Sequence, residues 1–180
     1  MTERATQRPA ARNLISGDFF TPAYRMTGKI AVGNAGLIGL LNDAVSSLAE
    51  LEDVYISRVS SSAKIVARYP LGRIAKARLE LIMLSRREDV GPIAITRGGF
   101  SKVVEHQVLV STPTFEIKGV LEQPGRLDVP SLLVEGSGKF FLLHKATIVP
   151  LVAPDSPFTA ASVLINRARV DLFCAQSEAA

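Results

Sequence analysis

Apolar and polar residues alternate with a period of two over much of this chain, the signature of half-buried antiparallel strands. Tyr24, Met26 and Gly28 share one face of such a segment, as do Phe115, Ile117 and Gly119 of another. Further along, Ala75, Ala77, Leu79, Leu81 and Met83 oppose Lys76, Arg78 and Glu80, and Ala168, Val170, Leu172 and Cys174 oppose Arg167, Arg169 and Asp171. Residues 54–59, 64–69, 139–143 and 147–152 are rich in β-branched or aromatic side chains and bounded by Ser, Pro or Gly, so they too read as strands. One stretch follows another period. Leu37, Leu41, Ala44, Leu48 and Leu51 are spaced by three and four, which predicts an amphipathic helix over about 36–51 with Asn34 as its N-cap.

These elements recur. Thr21-Pro22-Ala23-Tyr24-Arg25-Met26-Thr27-Gly28 reappears 91 positions on as Thr112-Pro113-Thr114-Phe115-Glu116-Ile117-Lys118-Gly119. In the same register, Ile74 to Leu81 reappears as Ile165 to Leu172, and between the two segments Leu40-Leu41 aligns with Leu132-Leu133 one residue later. A shared register in separate segments predicts a tandem duplication. The expected fold is therefore mainly β with minor α: two small barrel-like or sandwich-like units, with the amphipathic helix in the first. Residues 1–18 are expected to form a flexible arm, 19–90 the first unit, 91–107 a connector and 108–176 the second unit. The second unit has only residues 127–134 in place of the helix, and Pro130 limits them to a turn or two.

The stretches TPTFEIKG, RLDVPSLLV, KFFLLHKATIV and VLINRARVDLF resemble a small uncharacterised bacterial domain family. The first half departs from it, with Ala75 where the motif has Asn166 and with a longer helix. The resemblance implies a β-rich module and no catalytic residues.

The 180 residues are 47% apolar, enough for a substantial core, and the formal charge is +4. All of that excess lies in the first 90 residues, where Arg4, Arg8 and Arg12 sit in the arm. The single cysteine, Cys174, excludes a disulfide framework and is expected as a small buried hydrophobe. A cytoplasmic protein without a membrane-spanning segment is expected. His106 and His144 have no second ligand at metal spacing, so neither metal nor cofactor is expected. Ser60 to Ser62 form a polar turn without a nucleophile elbow, and Glu50, Glu52 and Asp53 read as solvated charges at the helix end.

Three functional readings remain. The first is a non-enzymatic structural or accessory subunit of a bacterial complex, either a homo-oligomer or part of a larger assembly. It would use the helix stripe Leu37, Leu41, Leu48 and Leu51 as its partner-binding face. The second is a small basic RNA- or DNA-binding protein that grips phosphates with Lys76, Arg78, Arg167 and Arg169. The acid two residues beyond each pair favours cross-strand ion pairing instead. The third is an NAD(P)-binding enzyme. Asn34-Ala35-Gly36-Leu37-Ile38-Gly39 approximates the phosphate-cradling turn, the glycines from Gly33 to Gly39 supply the backbone freedom, and Arg58 and Ser60 would suit a 2′-phosphate. Against it, no series of further strand–helix pairs follows.

Overall fold

A computed structural model describes residues 13–92, 103–135 and 138–176. The first half contributes β1 (Asn13–Phe20), β2 (Tyr24–Val32), α1 (Gly36–Asn42), β3 (Leu48–Arg58), β4 (Ser61–Ala75) and β5 (Leu81–Leu84). The second contributes β6 (Val103–Ser111), β7 (Phe115–Pro124), β8 (Phe140–Pro150), β9 (Phe158–Asn166) and β10 (Leu172–Ala175). All ten strands belong to one sheet in the order β10-β6-β7-β8-β9-β5-β1-β2-β3-β4, and every neighbouring pair is antiparallel. The mainly β expectation agrees with this sheet. Closed barrels do not: among the described residues β4 and β10 each pair on one side only. Among the described residues, no helix is long and apolar enough to cross a membrane.

The two halves meet where β5 pairs with β9, from Leu81 opposite Ile165 to Leu84 opposite Ser162. All four residues of β5 are buried, because consecutive side chains enter different cores. Ile82 and Leu84 join Phe19, Ile30, Leu51, Val54 and the α1 residues Leu37 and Leu41. Leu81 and Met83 join Phe20, Phe115, Ile117, Leu143 and Ile148. Adjacent phenylalanines do the same, with Phe19 and Phe140 in the first core and Phe20 and Phe141 in the second.

The expected helix over 36–51 is corrected to Gly36–Asn42. Asp43 is extended, its Oδ1 accepts from the Val45 N–H, and the Ser46 hydroxyl accepts from the Leu48 N–H. Such local side-chain bonds offer the backbone an alternative to the helix. From Leu48 the chain is a strand between β2 and β4, with Ala49 and Leu51 buried at period two. The strand expected through residues 75–83 is also interrupted. Lys76–Arg78 form a 3₁₀ turn, as do Arg167–Arg169, and each turn carries the chain from one strand to a non-adjacent one. The arm expected over 1–18 is a strand from Asn13, and the connector expected over 91–107 is a strand from Val103; residues 1–12 and 93–102 lie outside the described residues.

Gly36 opens α1 at φ +67°, with the backbone of Gly91 (φ +92°) packed against it. A Cβ on Gly36 would stand 2.4 Å from the Gly91 Cα, whereas one on Gly33 would meet nothing within 4 Å. Positive φ and backbone contact both penalise a side chain here. Gly36→Ala is therefore expected to cost about 2 kcal/mol, lowering the melting temperature by roughly 4–8 °C. Gly33→Ala is expected to stay within roughly 2 °C of wild type. Thermal melts of the two variants check this, and equal melting temperatures would show that the close approach carries no weight.

Candidate functional site

The free edge strand β4 is fifteen residues long, and Ile65, Val66, Tyr69 and Leu71 are exposed along it. A long apolar edge with unpaired backbone groups is a template for another strand. Beside it lies a trough of about 490 Å³, walled by Tyr24, Met26, Ile56, Tyr69 and Ile74, with Arg73 and Arg78 at its border. Tyr24 is 44% exposed there and Tyr69 54%. The matching wall in the second half is closed: Phe115, Ile117 and Ile148 are fully buried. What closes it comes from the first half. Phe20 stands edge-on to Phe115 and Phe158, with ring centroids 5.4 Å apart in each case, and Leu81 packs in the same core.

A polar hub fixes that closure. Glu80 is fully buried, and its Oε1 accepts from the Thr114 N–H at 3.0 Å. Its own N–H donates to the Phe20 carbonyl at 2.8 Å, and its carbonyl accepts from the Asn166 N–H at 3.0 Å. Asn166 Nδ2 donates to the Leu79 carbonyl at 2.8 Å, and Arg169 Nη2 to the Ala77 carbonyl at 2.9 Å. The hub thus ties together the end of β1, the start of β5, the end of β9 and the turn before β7.

At the far edge, β10 bonds only to β6. Leu172 is 51% exposed, and Cys174, expected to be buried, is exposed as well. Both lie on a strand that, among the described residues, has no neighbour on its outer side.

The residues singled out from the sequence are dispersed. Leu37, Leu41 and Leu51 are fully buried, and only Leu48 is exposed, on a strand rather than a helix. The helix stripe therefore presents no partner-binding face. Lys76 is also buried; its ammonium donates to the Leu40 and Asp43 carbonyls at 2.5 and 3.3 Å, closing the C-terminal end of α1, and burial lowers its pKa. Arg78 is exposed, Arg167 is partly buried with its pKa lowered by desolvation, and Arg169 is committed to Ala77. These four cations sit in two turns, not on a strand face, so they form no phosphate-gripping ladder. Arg4, Arg8 and Arg12 lie outside the described residues.

The glycine segment does not build a dinucleotide cradle. The helix after Gly36 has seven residues, and β3 beyond it returns antiparallel to β2, whereas the dinucleotide fold requires a parallel crossover. Arg58 and Ser60 lie at the opposite end of β2, beside Tyr24. Glu50 and Asp53 are on β3, not at a helix end, and pair with Arg73 and Lys29 at 3.0 Å.

His144 of β8 is buried opposite Ser162 of β9, with Nδ1 2.9 Å from the hydroxyl of that fully buried serine. Desolvation lowers its pKa, Arg87 and Lys145 lower it further, and Glu122, ion-paired with Arg87, opposes them. The edge trough and the Glu80 hub escape a reading by sequence pattern, because both depend on which strands remain unpaired. No protein-family model, curated protein or solved structure matches the chain.

Because the folded protein holds His144 neutral, the unfolded chain takes up the proton first as the pH falls past the usual histidine value of about 6.5. The His144 contribution is thus complete above that value and is lost below it. Wild type is expected to lose more melting temperature between pH 8 and pH 5.5 than His144→Gln; equal losses would contradict the assignment.

Proposed function

We propose that this chain is a non-enzymatic β module, formed by tandem duplication of one five-strand unit, that serves as a structural subunit through self-association. The observation that carries the reading is the sheet left open at both ends among the described residues, with a long apolar edge and trough at one of them. Burying such an edge against another strand satisfies its backbone groups and removes apolar surface from water.

Recurrent details support the duplication. The pairings β1–β2, β2–β3, β3–β4 and β1–β5 have the counterparts β6–β7, β7–β8, β8–β9 and β6–β10. Register breaks between Thr27 and Lys29 and between Lys118 and Val120. Opposite each break sits a residue with φ 51°, Asp53 or Lys145. Gly28 and Gly119 lie under these bulges, where an added Cβ would stand 3.1 Å from the carbonyl oxygens of Glu52 and His144. The turn bond from the Thr21 N–H to the Tyr24 carbonyl matches that from Thr112 to Phe115. Such local irregularities are specific to a sequence, so their return in one register favours common descent of the halves over convergence.

The test is the mass of the purified full chain in solution. Sedimentation equilibrium is expected to give a multiple of the 19.3 kDa chain mass. A single-chain mass at every concentration up to the solubility limit would overturn the reading.

A further inference from the structure

We infer that the trough beside β4 is the seat of β10 from a second copy of this chain, entering in the register with which β5 pairs with β9. This rests on the self-association reading and adds the partner strand, its residues and its register.

The template is within the chain. In the duplicated register β5 corresponds to β10 and β9 to β4, so the pairing of Leu81 with Ile165 and of Leu84 with Ser162 translates into Leu172 with Ile74 and Ala175 with Leu71. Internally both partners are present and the seam is formed. The two corresponding strands are the free ends of the sheet. Exposure follows the same division: Leu81 is fully buried while Leu172 is 51% exposed, and Phe115 is fully buried while Tyr24 is 44% exposed. A second copy supplies what each surface lacks.

Polar anchors translate as well. Asp171 corresponds to Glu80 and is exposed, and Ala23, in the turn corresponding to Thr112–Phe115, offers the N–H corresponding to that of Thr114. Arg78 corresponds to Arg169, whose guanidinium bonds the Ala77 carbonyl across the internal seam. The carboxylate of Asp171 would also arrive beside Arg73 and Arg78 at the border of the trough. Length agrees too. The four residues of β10 equal the four of β5, all of which pair with β9 at the internal seam.

The contact joins two different surfaces, so it is head-to-tail. Two copies can exchange β10 strands reciprocally and leave no edge free, or further copies can extend a ring or filament. The external seam lacks features of the internal one: Ser111 stands where Phe20 fills the core, Ala67 where Phe158 meets Phe20, Arg73 and Gly72 where Leu164 and Val163 are buried, and Ala75 where Asn166 bonds to Leu79. It is therefore the weaker seam, one that opens on dilution while the chain stays folded.

Leu71→Cys and Ala175→Cys, combined with Cys174→Ser, test the register directly. Opposed residues in an antiparallel pair have Cα atoms about 4.5–5.5 Å apart, within disulfide reach. Mild oxidation is expected to give a disulfide-linked species of two or more chain masses that reverts to one mass on reduction. A link confined to a single chain would mean that the seam closes internally, and would overturn the proposal. Leu172→Asp, at an exposed position, is expected to keep the melting temperature within roughly 2 °C and to reduce the sedimenting mass to one chain. A multimeric wild type with neither cross-link nor response to Leu172→Asp would refute this seam and leave self-association standing. A monomeric wild type would refute both.

Discussion

The structure depends on the pairing of β5 with β9. Four residues, Leu81 to Leu84, are buried on both faces because the two cores lie on opposite sides of the sheet at this point. Each half contributes side chains to the core of the other: Leu164 and Phe140 complete the first, Phe20 and Leu81 the second. Removing one half would expose those residues and leave the Glu80 carboxylate buried without its Thr114 donor, the costly way to lose a hydrogen bond. The halves therefore share stability across one short ladder, although each has its own strand order.

This interdependence explains what the sequence conceals. Strands with one wet face announce themselves, as in Phe115 to Gly119, whose exposed Glu116 and Lys118 alternate with buried Phe115, Ile117 and Gly119. The central strand has no wet face, so LIML reads equally well as the end of a longer alternating segment. The spacing of Leu37, Leu41, Leu48 and Leu51 imitates a single helix, although Leu37 and Leu41 are buried on a short helix, Leu51 is buried on a strand and Leu48 is exposed. Ladder bonds on both sides of β3 and the Asp43 turn decide the matter, and only the first is a tertiary effect invisible to local pattern. The site was still less legible. No residue type marks an unpaired edge; the edge is defined by the absence of a neighbour in the completed sheet. What the sequence did hold was the register of 91, which identifies the strand that fills the corresponding place inside the chain.

Corresponding positions of the two halves differ at the seams. At the internal one, Phe20, Phe115, Phe158 and Asn166 stand where the external surfaces carry Ser111, Tyr24, Ala67 and Ala75. Three of the four changes replace an aromatic ring or a bonding amide with a smaller or hydrated group. Tyr24 keeps an aromatic body for packing and adds a hydroxyl that tolerates water. A permanent seam inside the chain gains from dry aromatic packing, whereas a surface made to spend time in water cannot carry the same area without attracting unrelated partners.

The edge of β4 carries devices against such unrelated pairing. Lys64 and Arg68 are exposed along it. Such charges are a recognised means of blunting an open strand, and Arg73 continues them into residues 71–74, where Leu71 is exposed beside the trough wall. On the proposed seam the partner strand answers these charges, bringing a carboxylate for Arg73 and Arg78 and a side chain for the trough. Leu172 and Asp171 place both on β10 or at its threshold, so the selectivity of the proposed seam would lie in combining a short ladder with one filled cavity.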